Sequence, residues 1–432
     1  MSSWELKKLS EVADIIGGAT PKSDVDEYFN GDIPWITPKD LSGYKNRYIS
    51  KGERNITKLG LENSSAKLLP KGAVLFTSRA PIGYVAIADN EVSTNQGFKS
   101  LVLKDGNIPE FFYYLLKHNI PLFEARATGS TFKEVSGQVV KNTELLIPSI
   151  DIQKKIVDLV SPLDEKIQLN TQINQTLEQI AQTIFKSWFI DFDPVHAKAN
   201  ALASGQTTEQ ATQAAMTVIS GKNTQELHRL QTANPEQYQQ LWEIAEAFPS
   251  GVDEEGVPRG WEERYLKDVC NIVYGKGLPK NKLTEKGFYV FGANGVIGFY
   301  DSYTYEKPQV LIGCRGTVGQ VTLSYPYSFV TNNSLVIEYE NSCVSMYYLE
   351  KYLSNINLKE ISSGSVQPQI TIQNMSKVKI LIPNIEILNF YSEKVKEIYD
   401  KRLNHFYENQ SLSKVRDLLL PKLLSGEILN GN

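Results

Sequence analysis

The chain nearly repeats itself after 235 residues, and this repeat restricts its possible folds more than any other feature. The segment ELLIPSIDIQ, which contains Leu146, returns as KILIPNIEIL, which contains Leu381 (381 − 146 = 235). Further matches keep their order along the chain, with small insertions between them. They include Trp4 with Trp261, Arg79 with Arg315, Asn95 with Asn332 and Gly129 with Gly364. The sequence therefore predicts a tandem duplication of one unit, a globular region followed by a long helix.

The long helix is predicted over residues 151–189, where apolar residues recur every seven positions, as in a helix that packs lengthwise on another. Pro162 predicts a kink or a later start. The first series is Ile156, Leu163, Asn170, Leu177 and Ile184, with Leu159, Ile167, Ile173 and Ile180 between them. The C-terminal series, which supplies the partner helix, is Tyr391, Ile398, His405, Leu412 and Leu419. The residues assigned to the coiled-coil interface are Ile156, Leu163, Ile173, Leu177, Ile184, Ile398, Leu412 and Leu419.

The globular regions are predicted to be α+β with mostly antiparallel strands, because they mix short strand patterns, proline-marked loops and few helices. DIPWITPKDLSG (residues 32–43) is predicted to be an exposed loop, and IPEFFYYLLKHN a short helix. An Ala/Gln/Thr-rich connector between the halves is predicted to form small docked helices. The predicted domains are residues 1–149 and 259–384 for the globular regions, 150–190 and 385–432 for the long helices, and 191–258 for the connector.

The charge of the chain is distributed unevenly. The net charge is −4, yet residues 191–258 alone carry 3 basic and 10 acidic residues, so the acid is concentrated in the connector. Residues 4–148 carry 18 basic and 17 acidic residues, and residues 261–383 carry 12 and 10. Two nearly neutral globular regions cannot bind DNA tightly by phosphate neutralisation alone. We therefore expect any DNA binding by the isolated chain to be weak and to be strengthened by a partner.

The sequence carries no set of residues typical of an active site. Cys270, Cys314 and Cys343 lack the spacing of a disulfide framework or a zinc site, and the four histidines lack metal-ligand spacing. The glycines of FGANGVIG are predicted to form turns, and Asp164-Glu165-Lys166, which resembles a nuclease triplet, a solvated charged face of the long helix. No segment has the length and apolarity of a membrane helix. We expect a cytoplasmic, non-catalytic chain without a metal or cofactor of its own.

Polar residues in loops remain as candidate DNA-binding residues, because arginine reads guanine bidentately and asparagine or glutamine reads adenine. The candidates at repeated positions are Arg79, Asn95, Gln96, Arg315, Asn332 and Asn333. Those that differ between the halves are Lys22, Trp35, Lys39, Thr131, Phe132 and Lys133 in the first and Lys276, Lys280, Asn294, Gln367 and Gln369 in the second. The alternatives are that each arginine ties its sheet together through carbonyls or an acid, and that the others have plain surface or turn roles.

Several segments together resemble the specificity subunit of type I restriction–modification systems, and the similarity covers essentially the whole chain. They are WELKKLSEVADIIGGATPKS, DIPWITPKDL, FTSRAPIGYVAI, TNQGFKSL, GSTFKEVSG, LLIPSIDIQKKIV, FKSWFIDFDPVHAKA, PRGWEERYLKDV and LLLPKLLSGEI. The second half departs from the pattern, since YGKGLPKNKLTEKGFYVFGANGVIG replaces the TPKS and WITPKDL features. This departure is expected if the two globular domains read different DNA sequences.

The resemblance implies two target-recognition domains that each read one half of a bipartite, asymmetric site, and two long helices that form an antiparallel coiled coil. It also implies two methyltransferase subunits, which carry S-adenosylmethionine and methylate adenine, and a restriction and motor subunit that uses ATP and Mg in phage defence. We expect part of the protein contact at the acidic connector and at the helix ends. The alternatives are a coiled-coil scaffold or adaptor that does not bind DNA, and an enzyme with a cryptic nuclease site.

Overall fold

The computed structural model describes residues 4–129, 133–364 and 367–428, which form two compact units. Within these ranges, the first unit contains the residues up to Ile173 and those from Asn404 onward, and the second contains Asn174–Leu403. No helix in the described ranges is long and apolar enough to cross a membrane.

The globular part of the first unit consists of short strands and short helices. The strands are β1 (Trp4–Lys8), β2 (Ala13–Gly17), β3 (Phe29–Ile36), β4 (Tyr48–Ile49), β5 (Arg54–Ile56), β6 (Val74–Ser78), β7 (Ile82–Ala88), β8 (Ser93–Thr94), β9 (Lys99–Leu103) and β10 (Glu144–Pro148). The helices are α1 (Leu9–Val12), α2 (Lys58–Glu62), α3 (Pro109–His118), α4 (Ile120–Ala125) and α5 (Gly137–Asn142). A five-stranded sheet has the order β2-β9-β6-β7-β4, a second sheet has the order β5-β3-β8, and β1 pairs with β10.

Strand β6 lies at the centre of the main sheet and is buried along its whole length. Val74 and Phe76 belong to the core that α3 covers with its aromatic face, whereas Leu75 belongs to a separate apolar cluster. A strand covered on both faces needs apolar residues at every position, which VLF supplies. The predicted helix over IPEFFYYLLKHN is confirmed as α3.

The prediction of an exposed loop over residues 32–43 is wrong for its first part. Strand β3 continues to Ile36 between β5 and β8, and Trp35 is only 4% exposed. Trp35 packs with Phe29 and Ile56 in a small apolar cluster. The prolines misled the prediction because a φ near −65° is compatible with extended backbone as well as with a loop.

The first long helix, α6 (Ile150–Phe189), is 40 residues long, which corresponds to about 60 Å at the rise of an α-helix. It contains Pro162 within its length, so the alternative of a later start is wrong. Pro162 lies in the first third of the helix and is exposed.

The connector folds into the small helices that its composition predicted. They are α7 (Asp193–Ala203), α8 (Thr208–Ser220), α9 (Thr224–Ala233) and α10 (Pro235–Ala247). Buried Lys198 on α7 donates hydrogen bonds to the carbonyls of Ala245, Glu246 and Phe248, at 3.3, 3.0 and 2.6 Å. Burial lowers the pKa of the Lys198 ammonium. These carbonyls end α10, where a cation is favoured by the helix dipole.

The globular part of the second unit repeats the topology of the first. Its strands are β11 (Glu262–Tyr265), β12 (Asn271–Tyr274), β13 (Phe288–Gly292), β14 (Gly295–Tyr300), β15 (Val310–Gly313), β16 (Val321–Leu323), β17 (Phe329–Val330), β18 (Ser334–Glu338) and β19 (Lys379–Ile382). Its helices are α11 (Leu266–Val269), α12 (Met346–Ser354) and α13 (Ile372–Ser376). The main sheet has the order β12-β18-β15-β16, which corresponds to β2-β9-β6-β7, and the pair β11-β19 corresponds to β1-β10. The third sheet, β14-β13-β17, contains the predicted glycine turn, where Gly292 pairs with Gly295.

The second long helix, α14 (Ile385–Leu424), is also 40 residues long and pairs with α6 in antiparallel orientation, which confirms the predicted fold class. In the first unit, Asp164 forms an ion pair with Arg416 at 2.6 Å, and the amide of buried Asn170 donates to Asn409 at 2.8 Å. Residues further along α6 thus contact residues earlier in α14. This order is the one expected of two antiparallel helices.

The same pairing holds in the second unit. The Asn174 amide donates to the Arg402 carbonyl at 3.1 Å, and the rings of Phe185 and Tyr391 lie 6.0 Å apart. Glu178 forms an ion pair with the Arg402 guanidinium. Within each unit, the two long helices thus lie side by side and run in opposite directions.

The eight residues assigned to the coiled-coil interface are all buried or partly buried. Ile156 and Leu419 pack in the core of the first unit, and Ile184 and Ile398 in that of the second. Leu163, Ile173, Leu177 and Leu412 are partly buried. Leu159 and Ile180 are 52% and 44% exposed, so their assignment to the seam is wrong, because the heptad count does not follow the globular domain that covers another face of the helix.

Asp164 was predicted to lie on a solvated face, and this is also wrong. Besides Arg416, it accepts a hydrogen bond from the Tyr114 hydroxyl at 2.6 Å. Buried Arg47 donates to Tyr114, at 2.9 Å, and to Ser161 on α6, at 2.6 Å. Burial and the Asp164 carboxylate raise the pKa of Tyr114. The residues form a polar network that joins the globular part of the first unit to both long helices.

A comparable network in the second unit is centred on Lys351 of α12, which is only 2% exposed. Its ammonium forms ion pairs with Glu178 of α6 and, at 3.0 Å, with Glu350. Burial alone would raise the pKa of the Glu178 carboxyl, but Lys351 and Arg402 together lower it below its ordinary value.

Replacing Lys351→Ala is expected to destabilise the second unit by about 3–5 kcal/mol, because two partly buried carboxylates lose their common cation. Urea denaturation followed by tryptophan fluorescence measures the loss. The matched control is Lys396→Ala, which removes a 62% exposed partner of Asp400 and should cost less than about 0.5 kcal/mol. The double variant Lys351→Met with Glu178→Gln is expected to recover much of the loss; equal effects of Lys351→Ala and the control would contradict the network.

Candidate nucleic-acid interface

The candidate interface of the first unit is a corner where three segments meet at the end of β6. The Ser78 amide donates to the Gly97 carbonyl at 2.8 Å, and the Val135 amide donates to the Ser78 carbonyl at 2.9 Å. Arg79 follows directly and is 36% exposed. The corner therefore combines the predicted Arg79 with the turn of Asn95 and Gln96.

The second unit builds the same corner at the end of β15. The Cys314 amide donates to the Asn333 carbonyl at 2.9 Å, and the Ile370 amide donates to the Cys314 carbonyl at 3.2 Å. Arg315 follows and is exposed. The repeat thus conserves the main-chain hydrogen bonds of the corner as well as its arginine.

One loop of each corner is closed by a pair of main-chain hydrogen bonds. Thr128 and Glu134 exchange bonds of 3.0 and 2.9 Å, and Ser363 and Gln369 exchange bonds of 2.8 and 2.9 Å. The two pairs are related by the offset of the repeat (363 − 128 = 235 and 369 − 134 = 235). Of the candidates in the first loop, Thr131 and Phe132 lie outside the described residues, whereas Lys133 is exposed.

A glycine in each unit allows a further segment to approach the corner. A Cβ atom on Gly18 would lie 2.0 Å from the Asn95 carbonyl oxygen, and one on Gly275 would lie 2.3 Å from that of Thr331. The residues after these glycines donate main-chain hydrogen bonds to Thr94 and Val330, at 2.9 and 2.8 Å. Only glycine fits at such close range. In the second unit this approach brings Lys276 to the edge of the corner.

The two arginines have different partners. The Arg79 guanidinium lies 3.4 Å from the Glu134 carboxylate, which also lies 3.6 Å from the Lys99 ammonium. The Arg315 guanidinium donates to the Gln369 side-chain oxygen at 3.4 Å. Arg79 therefore fits the alternative in which the arginine holds the structure together through an acidic residue. The acid, Glu134, lies in the loop and not in the sheet.

In the second unit, the arginine borders an open cleft between the loop and the segment after α12. The residues that line it are Arg315, Gly316, Thr317, Val318, Lys359, Ser362, Gln367, Pro368 and Gln369. This lining contains two cations and no acidic residue. The structure therefore brings the candidates Arg315, Gln367 and Gln369 together, and adds Lys359.

The remaining candidates are dispersed over the two units. Trp35 is buried and its indole donates to the Ala19 carbonyl at 3.1 Å, so burial in the β3 cluster leaves it little surface for a base. Asn95 is partly buried and accepts the Gly97 amide at 2.9 Å, which is a turn role. Lys39 is exposed, and its hydrogen bond to Glu53 raises its pKa. Those on the surface are Lys22, Gln96, Lys276, Lys280, Asn294, Asn332 and Asn333.

Lys99, Glu134 and Lys359 are polar residues of these corners that the sequence analysis missed. Glu134 was within reach, because the offset of the repeat places it on Gln369, which was a candidate. Lys99 was not, because the strand pairing places the apolar residue Leu335 at its position in the second half.

The described ranges contain no group of three or more His, Cys, Asp or Glu residues that could hold a metal ion. Burial raises the pKa of the Cys270 thiol to about 11, so it is protonated at neutral pH. A duplicated frame that presents two different sets of polar loop residues is typical of a protein that recognises two different elements.

Comparisons with known proteins agree with this class. The family profile described as "Type I restriction modification DNA specificity domain" matches residues 1–179 and 258–413. The type I restriction enzyme HindI specificity subunit of Haemophilus influenzae is 36% identical, over 94% of this chain and 100% of its own length. The MjaIX specificity subunit of Methanocaldococcus jannaschii is 31% identical, over 98% and 93%. The crystal structure of a type I S subunit from M. genitalium has a TM-score of 0.56 at 18% identity and covers 97% of this chain and 96% of that one, which supports the fold.

The chain belongs to the family of type I restriction–modification DNA specificity subunits. Its role is to determine DNA target specificity, and it is a non-catalytic part of such a system.

Replacing Gly275→Ala is expected to destabilise the second unit by about 1–3 kcal/mol, because the new methyl group overlaps the Thr331 carbonyl. The control is Gly277→Ala two residues later, where a Cβ meets nothing within 4 Å and should change stability by less than about 0.5 kcal/mol. Urea denaturation of both variants provides the measurement. Equal stability of the two variants would show that the close approach does not matter.

Proposed function

We propose that this chain recognises a bipartite, asymmetric DNA site, with one half-site read by each unit. The observation that carries the proposal is the duplicated corner. Its main-chain hydrogen bonds are the same in both units, whereas the side chains on it differ, as Glu134 and Gln369 do. Identical frames with different polar groups suit two different base sequences, because base edges are distinguished by side-chain donors and acceptors.

The candidate contacts are the polar residues at the two corners and on the nearby loops. In the second unit they are Arg315, Gln367 and Gln369, which line one cleft, with Lys276, Asn332 and Asn333 on the adjoining segments. In the first unit they are Arg79, Gln96 and Lys133. Arginine and lysine there suit phosphate and guanine, and the amides suit adenine.

We further propose that the chain recruits two adenine-methyltransferase subunits and, in the complete system, a restriction and motor subunit. Two copies of one partner need two equivalent surfaces. Ile150 and Ile385 are related by the repeat (385 − 150 = 235), begin the two long helices, and are 45% and 52% exposed. Apolar side chains that stay exposed at equivalent positions of both units support equivalent docking. The acidic connector, with 10 acidic and 3 basic residues, supports a further contact with a basic partner surface.

The charge of the globular regions also favours a partner. With 18 basic against 17 acidic residues in the first and 12 against 10 in the second, they offer few cations for phosphates. Affinity that depends on counterion release requires many such contacts. The methyltransferase is therefore expected to supply much of the DNA backbone binding.

Filter binding with and without the methyltransferase subunit tests the DNA role. With the partner present, the complex is expected to prefer one duplex sequence and to lose affinity steeply with rising salt. A complex without sequence preference would contradict DNA recognition and favour a scaffold that does not bind DNA. Nuclease assays on the purified chain with Mg²⁺ are expected to stay blank, whereas cleavage would favour the nuclease alternative.

Exchanging residues 1–149 for those of another family member is expected to change one half-site and leave the other unchanged, because each unit carries its own corner. Methylation of a library of duplexes by the assembled complex measures both half-sites at once. The reciprocal exchange of residues 259–384 is the matched control and should change only the other half-site. A change in both half-sites after either exchange would contradict the proposal that each unit reads one half-site independently.

A further inference from the structure

The cleft of the second unit combines two cations without a neighbouring carboxylate in its lining. Arg315 enters it from the end of β15 and Lys359 from the segment after α12. The hydroxyls of Thr317 and Ser362 lie on the same lining. Arg315 is held by the neutral amide of Gln369, which leaves its full positive charge uncompensated. Such a lining has the chemistry of a phosphate site.

The first unit repeats the closed loop of this corner but differs in charge around it. The offset of the repeat places Lys359 on Glu124 (359 − 124 = 235) and Gln369 on Glu134. The preceding residues, Leu358 and Phe123, are both buried in the cores of their units, which supports this alignment. The first unit therefore carries two acids where the second carries a lysine and a glutamine.

The acid at position 134 is not free. Glu134 lies 3.4 Å from the guanidinium of Arg79 and 3.6 Å from the ammonium of Lys99. Its carboxylate compensates the positive charges of Arg79 and Lys99, which would otherwise face a ligand. In the second unit the sheet position of Lys99 is occupied by Leu335, and no acid of the cleft lining competes for Arg315.

We propose that the cleft between Arg315 and Lys359 binds a phosphate group of the DNA backbone, and that the first unit lacks this subsite. The inference rests on the proposed DNA recognition and gives the two units different roles in it. The second unit binds a phosphate of the DNA backbone in its cleft, whereas the first relies more on other contacts. Phosphate contacts fix the position of a protein on the duplex without reading sequence. Arg315 is thereby assigned to the backbone rather than to a guanine.

The test transfers the charges of the first unit to the second. Lys359→Glu with Gln369→Glu is assembled with the methyltransferase and titrated with its target duplex at several salt concentrations. Affinity is expected to fall by about tenfold or more, and the slope of log K against log salt to become shallower by about one to two, as one or two phosphate contacts are lost. The preferred base sequence should stay the same.

Two further variants separate this effect from misfolding and from general charge. Glu134→Gln, the reverse exchange in the first unit, should tighten binding and steepen the salt slope by up to about one. Lys394→Glu repeats the lysine-to-glutamate exchange of Lys359→Glu on an exposed position of α14 and should leave the slope unchanged. An unchanged slope in the double variant, or an equal change in the Lys394 control, would overturn the subsite.

The outcomes also distinguish this inference from the proposed function. If the wild-type complex shows no sequence preference, DNA recognition itself fails and the subsite fails with it. If preference and steep salt dependence persist in the double variant, only the subsite fails. Because free phosphate and a backbone phosphate would compete for the cleft, inorganic phosphate is expected to inhibit DNA binding more strongly than chloride at equal ionic strength, and the double variant is expected to lose this difference. A difference that persists in the double variant would overturn the assignment to this cleft.

Discussion

The paired charges between the long helices constrain the structure more than any other interaction. In the first unit Asp164 meets Arg416 and Tyr114, and in the second Glu178 meets Arg402 and Lys351. A partly buried charge that loses its partner costs several kcal/mol, so a slip of one helix along the other is strongly disfavoured. An apolar seam alone would tolerate such slips better, because one leucine replaces another. The polar contacts thus set the register, and each also reaches a residue of the globular part.

The duplication separates what a unit must keep from what it can change. The corners keep their main-chain hydrogen bonds, their arginine and the glycine that admits a neighbouring segment. Around this constant frame, the second unit has Gln369 where the first has Glu134, and Leu335 where the first has Lys99. The frame depends on backbone geometry, which tolerates few residues, whereas the exposed side chains depend on the ligand. One ancestral unit can in this way serve two different recognition tasks within one chain.

The repeat, the fold class, the paired helices and the connector helices could be predicted from sequence, because each depends on periodicity or on similarity between distant segments. The polar networks could not. Asp164 finds Arg416 across 252 residues, and a charged triplet on a heptad helix looks solvated until its partner is placed. Trp35 was assigned to the surface because its flanking prolines are as common in loops as in the extended strand that buries it. The repeat pointed to Arg79 and Arg315, which lie at equivalent corners, whereas Lys99 was missed because its strand position in the second unit holds an apolar residue.

Two main-chain hydrogen bonds between Thr128 and Glu134 close the loop of the first unit, and two between Ser363 and Gln369 close that of the second. These hydrogen bonds involve no side-chain atom. The closure therefore does not depend on which side chains its two end residues carry, as the different residues of the two units show. A lineage that acquires substitutions there can move through many loop sequences while the surrounding sheet stays folded. Selection for new loop sequences is in this way separated from selection for the stability of the fold. Under this condition a recognition surface can diversify quickly.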